Sequence, residues 1–134
     1  MLGAFTFQMG VVSYRMRDTH GNVSDAIYKP CLDVVVGDMS RSCQGTAEEI
    51  QPEKTMAAIS DIKGKTYFYV FDSTKTMTDK AKDTMSSPSV REQFTWFLLN
   101  VHLTDFGGRC LPTPFERVTN FKTFFHQERA MKYG

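Results

Sequence analysis

Three cysteines and three histidines are the residues of this chain best suited to catalysis or metal binding. They are Cys31, Cys43, Cys110, His20, His102 and His126. No two of them follow a Cys-x-x-Cys or His-x-x-x-His spacing, and zinc sites usually draw their ligands from such close pairs. The spacing therefore predicts no metal site and favours buried thiols and surface histidines.

Cys110 is the best candidate for a nucleophile. It lies in a Gly-Gly-Arg-Cys segment, where Arg109 could favour the thiolate form, and His102 or His126 could meet it in space as a base. A loop cysteine beside a solvated arginine explains the same residues more simply. The sequence does not decide whether the protein is an enzyme, but it contains no catalytic motif and so favours a non-catalytic role.

The segment Gly64-Lys65-Thr66 matches the end of a phosphate-binding loop. That loop requires a glycine five residues before its second glycine, because backbone amides must wrap the phosphate. Position 59 is Ile59, and the chain continues into a predicted strand where the motif requires a helix. We therefore predict no bound nucleotide, and no other cofactor motif is present in the sequence.

The composition indicates the class of protein. A length of 134 residues is typical of one domain, here residues 1–134, and a net charge of +1 argues against a dedicated binder of nucleic acid. No apolar run approaches the roughly 20 residues of a membrane-spanning helix. The odd number of cysteines, without dense spacing, favours reduced thiols and an intracellular, cytoplasmic location.

The segment 65–72 is an aromatic strand that is apolar on both faces. Tyr67, Tyr69 and Phe71 share one face and Phe68 and Val70 the other, because successive side chains of a strand alternate. A strand with one face in water would show polar residues at alternate positions. We therefore expect both faces to be covered by the rest of the domain or by another chain.

The same strand resembles the RNA-stacking strand of RNA recognition motifs. Lys65, Tyr67, Tyr69 and Val70 match that strand in residue type. The resemblance implies single-stranded RNA binding, which we keep as a minor alternative to a covered core strand.

The order of elements predicts an α+β fold. Antiparallel strands and hairpins are expected over about 4–72, including a return strand at 23–28, a third apolar run at 31–36 and a hairpin across Lys63-Gly64. A segment of three helices is expected over about 76–131. The first helix carries the stripe of Met77, Ala81 and Met85.

The middle helix is predicted to begin at a Ser89–Glu92 capping box and to end at Gly107-Gly108. It would carry two apolar stripes, although a strand over 94–103 is a competing interpretation because apolar residues also alternate there. The stripe that we assign to a partner interface comprises Trp96, Leu99, Leu103 and Phe106.

The leading functional hypothesis is therefore a non-catalytic structural or interaction subunit. It would assemble through an apolar helix-and-strand surface with itself or with another protein. The rival is a small-ligand binder or small enzyme whose pocket lies between sheet and helices. That pocket would use Tyr67, Tyr69 and Trp96 as walls and Cys110 or His102 as its polar group.

Overall fold

The computed structural model describes residues 3–44, 46–87, 94–105, 110 and 115–133. The α+β class is confirmed, with antiparallel strands in the N-terminal part and two long helices in the C-terminal part. The strands are β1 (Gly3–Gln8), β2 (Val11–Met16), β3 (Cys31–Gly37), β4 (Glu48–Ile50), β5 (Thr55–Ile62), β6 (Lys65–Phe71) and β7 (Phe94–Leu99). The α-helices are α1 (Val23–Ala26), α2 (Thr74–Ser86) and α3 (Glu116–Tyr133), and short 3-10 turns cover Met39–Gln44 and Val101–Leu103.

Five of the strands form one antiparallel sheet in the order β3-β2-β6-β5-β4. The aromatic strand β6 lies at its centre. The predicted hairpin across Lys63-Gly64 is confirmed: these two residues have φ angles of 51° and 73°, which suit the tight turn between twisted strands. The edges of the sheet are therefore β3 and β4.

Both faces of β6 are covered within the chain. Of the two predicted sources of cover, the rest of the domain or another chain, the first is therefore the one observed. Tyr69 and Phe71 pack with Val11, Met39 and Ala58 on one face. On the other face, Phe68 packs in a second cluster that draws on β2, β5 and α1 through Met16, Ala57, Val23 and Ala26. The apolar pattern of β6 is thus satisfied without a partner chain.

The second layer is a parallel pair, β1 with β7, covered by α2 and α3. Phe7 stacks on Trp96 with ring centroids 5.4 Å apart, and Phe121 of α3 meets Phe7 edge-on at 5.2 Å. The predicted stripe of α2 is confirmed, because Met77 and Ala81 are buried in this cluster and Met85 packs against it. These aromatic rings pack together with Met9, Met77 and Ala81 in the core of this layer.

The prediction of a helix through the middle of the C-terminal segment is wrong for residues 94–99. Phe94–Leu99 is the strand β7, which pairs in register with β1 from Gly3↔Phe94 to Gln8↔Leu99. The alternating apolar side chains favour a strand once a neighbouring strand can accept its hydrogen bonds. The proposed caps at 89–92 and 107–108 lie outside the described residues.

The prediction of a return strand at 23–28 is also wrong, because Val23–Ala26 forms α1. Asn22 caps this helix by accepting a hydrogen bond from the amide of Asp25 at 2.9 Å. The helix places Val23 and Ala26 over the face of β6 that carries Phe68.

The expectation of three buried, reduced thiols is wrong as well. Cys43 and Cys110 form a disulfide with a Cα–Cα distance of 5.4 Å, and Cys31 is an exposed free thiol. The pairing joins residues 67 positions apart, so no local spacing could have indicated it. The disulfide attaches the turn that contains Met39, which covers β6, to the chain at Cys110.

A buried arginine connects the two layers. Arg117 of α3 donates hydrogen bonds to the carbonyls of Met9 and Asp72, the latter at 2.7 Å, and to the Thr104 hydroxyl at 2.9 Å. Burial lowers the pKa of its guanidinium to about 10, while the carboxylates of Asp72 and Asp105 oppose that shift. Arg117 is therefore still charged at neutral pH, and its role is to hold these segments together.

Candidate interaction surface

The edge strand β3 is the most exposed apolar element of the sheet. Its large apolar side chains are all substantially exposed: Leu32 at 55%, Val34 at 50%, Val35 at 46% and Val36 at 41%. We call these four residues the β3 patch. Val34 and Val36 lie on the face of the sheet that carries Phe68, and Val35 lies on the opposite face. Contiguous exposed apolar surface of this kind is typical of interaction sites.

The outer edge of β3 also offers backbone hydrogen-bonding groups. Within the described ranges β3 pairs with β2 alone. The amide of Arg17 donates to the carbonyl of Pro30, so the odd-numbered residues of β2 direct their backbone groups towards β3. Their partners Asp33 and Val35 therefore face β2, while Val34 and Val36 face outward. The amide of Val34 donates to Asp33 Oδ1 at 2.9 Å, which agrees with this assignment.

The opposite edge, β4, is different in length and charge. It has three residues, of which Glu48 and Glu49 are acidic. Lys75 Nζ of α2 lies 3.0 Å from Glu49 Oε2. Short edge strands and charged side chains are common protections against strand addition. The protected edge is therefore β4, and β3 lacks these protections apart from Asp33.

The four residues predicted as an interface do not form one stripe. Because 94–99 is a strand, Trp96 and Leu99 point to opposite faces: Trp96 packs on Phe7, while Leu99 is 46% exposed. Leu103 is half-buried in the 3-10 turn that follows. Phe106 lies outside the described residues. The helical stripe is thus wrong in its geometry, and the contact of these residues with a partner stays a prediction.

The exposed face of β7 carries Phe97 and Leu99, which we call the β7 patch. It approaches the β3 patch at Gly10. The carbonyl of Leu99 accepts the amide of Met9 at 2.9 Å, and the next residue, Gly10, lies against both Val36 and Leu103. A Cβ at Gly10 would lie 2.9 Å from Val36 Cγ1 and 3.0 Å from Leu103 Cδ1. The absence of a side chain at Gly10 allows the strands of the two layers to approach closely.

A cleft lies between the two layers, beside α2. Its volume is about 410 Å³, and Phe5, Phe7 and Trp96 form its apolar wall. Lys54 and Lys80 also line it, but Lys54 is paired with Asp83, and Lys80 is paired with Asp72, a residue outside the lining. The cleft is thus an aromatic-walled site whose cationic groups already have carboxylate partners.

The structure does not bring together the other residues of the rival pocket. Tyr69 is buried in the sheet and stacks on Tyr67 at 6.5 Å, away from the cleft lining. Cys110 is in the disulfide, and His102 is exposed. Of the predicted walls and polar groups, Trp96 alone lines the cleft.

A cluster of side chains that could bind a metal ion would be a further candidate site. Within the ranges that the structure describes, no group of three or more histidine, cysteine or acidic side chains could hold a metal ion. The same part of the chain contains no helix that is both long and apolar enough to cross a membrane.

Comparisons of the chain with protein-family models, with curated proteins and with solved structures find no match.

The β3 patch itself was missed by sequence reasoning. Its run, Cys31–Gly37, lacks polar alternation just as β6 does, and that pattern was the available signal. Periodicity reports that a strand is apolar on two faces, but it does not report whether the strand lies at the centre or at the edge of a sheet.

Proposed function

We propose that this protein is a non-catalytic assembly subunit that binds other polypeptides by strand addition at β3, in a homo- or hetero-oligomer. The observation that carries the proposal is the exposed apolar edge of β3, with outward backbone groups at Val34 and Val36. Strand addition uses such main-chain groups for affinity and alternate side chains for specificity.

The proposal is supported by the contrast with the rest of the sheet. Elsewhere the apolar strands are covered by α1 or by the turn that contains Met39. Edge strands that are protected against strand addition commonly carry a lysine, a proline or a bulge within their length. β3 has a bulge at Leu32, where the register shifts between Arg15 and Met16, but its valine run beyond the bulge is regular.

The decisive experiment compares two lysine substitutions on the same sheet. We expect Val35→Lys to raise the dissociation constant of self-association at least tenfold, because a charge must then be desolvated at the pairing edge. Ile62→Lys is the matched control, since Ile62 is 44% exposed at the far end of β5. Sedimentation equilibrium over a range of protein concentrations measures both.

The two variants should unfold at the same denaturant concentration as the unmodified protein, which excludes misfolding as the cause. Equal association by Val35→Lys and Ile62→Lys would overturn assembly through β3. A chain that is monomeric at every concentration, whatever residue stands at position 35, would overturn self-assembly.

The second candidate function is small-ligand binding in the cleft beside α2, favoured by its aromatic wall. Trp96 is the single tryptophan of the chain, so its fluorescence reports directly on the occupancy of this site. We expect anilinonaphthalene sulfonate to quench it saturably and Thr84→Leu, which fills the cleft, to weaken that quenching. Quenching unchanged in Thr84→Leu would contradict a ligand site here.

The location and the RNA alternative also stay proposals. An intracellular location was expected from the odd number of cysteines, but the Cys43–Cys110 disulfide favours a compartment that is not strongly reducing. For RNA, bases would need exposed rings on which to stack. Phe68, Tyr69 and Phe71 are buried, so β6 gives that alternative no support.

A further inference from the structure

We infer that the occupant of the β3 edge is a second copy of this chain, paired antiparallel about a two-fold axis at Val35. This inference rests on the proposed function and names its partner. The two five-stranded sheets would then join into one continuous ten-stranded sheet. Such an interface is isologous, because the same patch is used on both subunits.

The backbone geometry of β3 is compatible with this register. When Val35 lies opposite its copy, Val34 lies opposite Val36 of the second copy, and the reverse holds on the other side of the axis. Val34 and Val36 are the residues whose backbone groups face outward. Once the Val34 amide leaves the Asp33 carboxylate, they would exchange both N–H···O bonds as a hydrogen-bonded pair, while Val35 and its copy form the closer, non-hydrogen-bonded pair.

The charge on β3 disfavours an axis nearer to Asp33, and an axis at Val36 would leave Val35 opposite Gly37 of the second copy, which has no side chain to pack on. An axis at Asp33 would place the two Asp33 carboxylates directly opposite each other, which is destabilising. An axis at Val34 would separate them by two residues along the strands. The axis at Val35 separates them by four residues, or about 14 Å, which exceeds the screening length of about 8 Å at physiological salt.

The side chains of the patch are also self-complementary in this register. Val35 would pack on its copy on one face of the joined sheet, and Val34 on Val36 on the other face. Paired β-branched residues are favourable cross-strand neighbours. Pairing would therefore bury the flanks of the valines on both faces that turn towards the second copy.

The ladder is short, so the area sets the expected affinity. A five-residue ladder from 33 to 37 buries less than the roughly 1,200 Å² of a stable interface. We therefore expect a weak, concentration-dependent dimer unless the β7 patch contributes. The carbonyl of Leu99 accepts the amide of Met9, and the next residue, Gly10, lies against Val36.

Disulfide trapping tests the register. The free thiol is first removed by Cys31→Ser, and single cysteines are then placed by Val35→Cys, Val34→Cys and Ile62→Cys. Across the two-fold axis at Val35, the two new thiols would sit on Cα atoms about 4.5 Å apart, within the range that a disulfide spans. In a buffer of oxidised and reduced glutathione, where oxidised glutathione is reduced as the disulfide forms, we expect Val35→Cys to form covalent dimers at least tenfold faster than Val34→Cys or Ile62→Cys.

The readout is the rate of dimer formation on non-reducing gels at several protein concentrations, with intact Cys43–Cys110 verified by mass spectrometry. Faster trapping of Val34→Cys than of Val35→Cys would overturn the register. Equal rates for Val35→Cys and Ile62→Cys would overturn the antiparallel strand pair between two copies. In both cases assembly at β3 survives if Val35→Lys still weakens association, whereas an unaffected Val35→Lys variant overturns the proposed function itself.

Discussion

β3 and β6 are two strands of one sheet with the same kind of sequence, but β3 is exposed and β6 is largely buried. Both strands, Cys31–Gly37 and Lys65–Phe71, carry apolar side chains on both of their faces. β6 lies at the centre, where the chain itself covers both faces, and β3 lies at the edge, where every residue from 31 to 36 is exposed. An apolar pattern on both faces therefore predicts that a strand packs against other elements. The position of the strand in the sheet decides whether those elements belong to the same chain.

The largest expected difference between the two strands is in stability. Phe68 and Val34 are both cross-strand neighbours of Tyr14, one on each side of β2. Phe68→Ala should lower the free energy of unfolding by about 3–5 kcal/mol, because it empties a buried site. Val34→Ala should change it by less than about 0.5 kcal/mol, because Val34 is exposed.

Urea denaturation at low protein concentration, where any dimer has dissociated, measures both variants. A comparable loss of stability in Val34→Ala and Phe68→Ala would break the comparison, since it would mean that β3 is part of the monomer's core.

The next effect concerns the cover of β6. The Cys43–Cys110 disulfide closes a loop of 67 residues and holds the turn with Met39 over Tyr69. Replacing both cysteines by serine should lower the free energy of unfolding by about 2–4 kcal/mol, because the unfolded chain regains the entropy of that loop. Denaturant unfolding with and without reductant checks this value.

Reductant should have little effect on the doubly substituted variant, which serves as the control. If reduction leaves the stability of the unmodified protein unchanged, the cover of β6 does not depend on the disulfide.

The smallest effect is expected at the β7 patch. Leu99→Ser should leave the unfolding free energy within about 0.5 kcal/mol, because Leu99 is exposed on the outer face of β7. If the β7 patch extends the interface, the substitution should raise the dissociation constant of the dimer by roughly three- to tenfold, since it removes exposed apolar area. Sedimentation equilibrium of Leu99→Ser and Val35→Lys under the same conditions measures both dissociation constants.

An unchanged dissociation constant for Leu99→Ser would confine the interface to β3. A larger effect than that of Val35→Lys would instead place the centre of the interface on β7 and reverse the assignment of the two patches.

Parts of the fold could be predicted because their signals are local. The Lys63-Gly64 turn, the stripe of Met77 and Ala81, and the two apolar faces of β6 each follow from a few neighbouring residues. The strand β7 could not be separated from a helix, because its apolar residues satisfy both periods and its pairing with β1 is remote in sequence.

The exposed apolar surface lies on a different element from the one that the sequence predicted. The excess of apolar surface was expected on a helix with Trp96 and Leu99, and a substantial part of it lies on β3. The helical assignment placed both side chains on one stripe, whereas the strand directs Trp96 towards Phe7 and Leu99 outward.

The sequence by itself determined the local turns, the amphipathic stripe of α2 and the two-sided apolarity of β3 and β6, because these depend on backbone preferences and on side-chain alternation. Tertiary structure alone decided which of the two strands lies at the centre, that Cys43 meets Cys110, and that Arg117 joins the layers. These outcomes depend on contacts between residues far apart in the chain, and no local pattern records which distant segment will supply the cover.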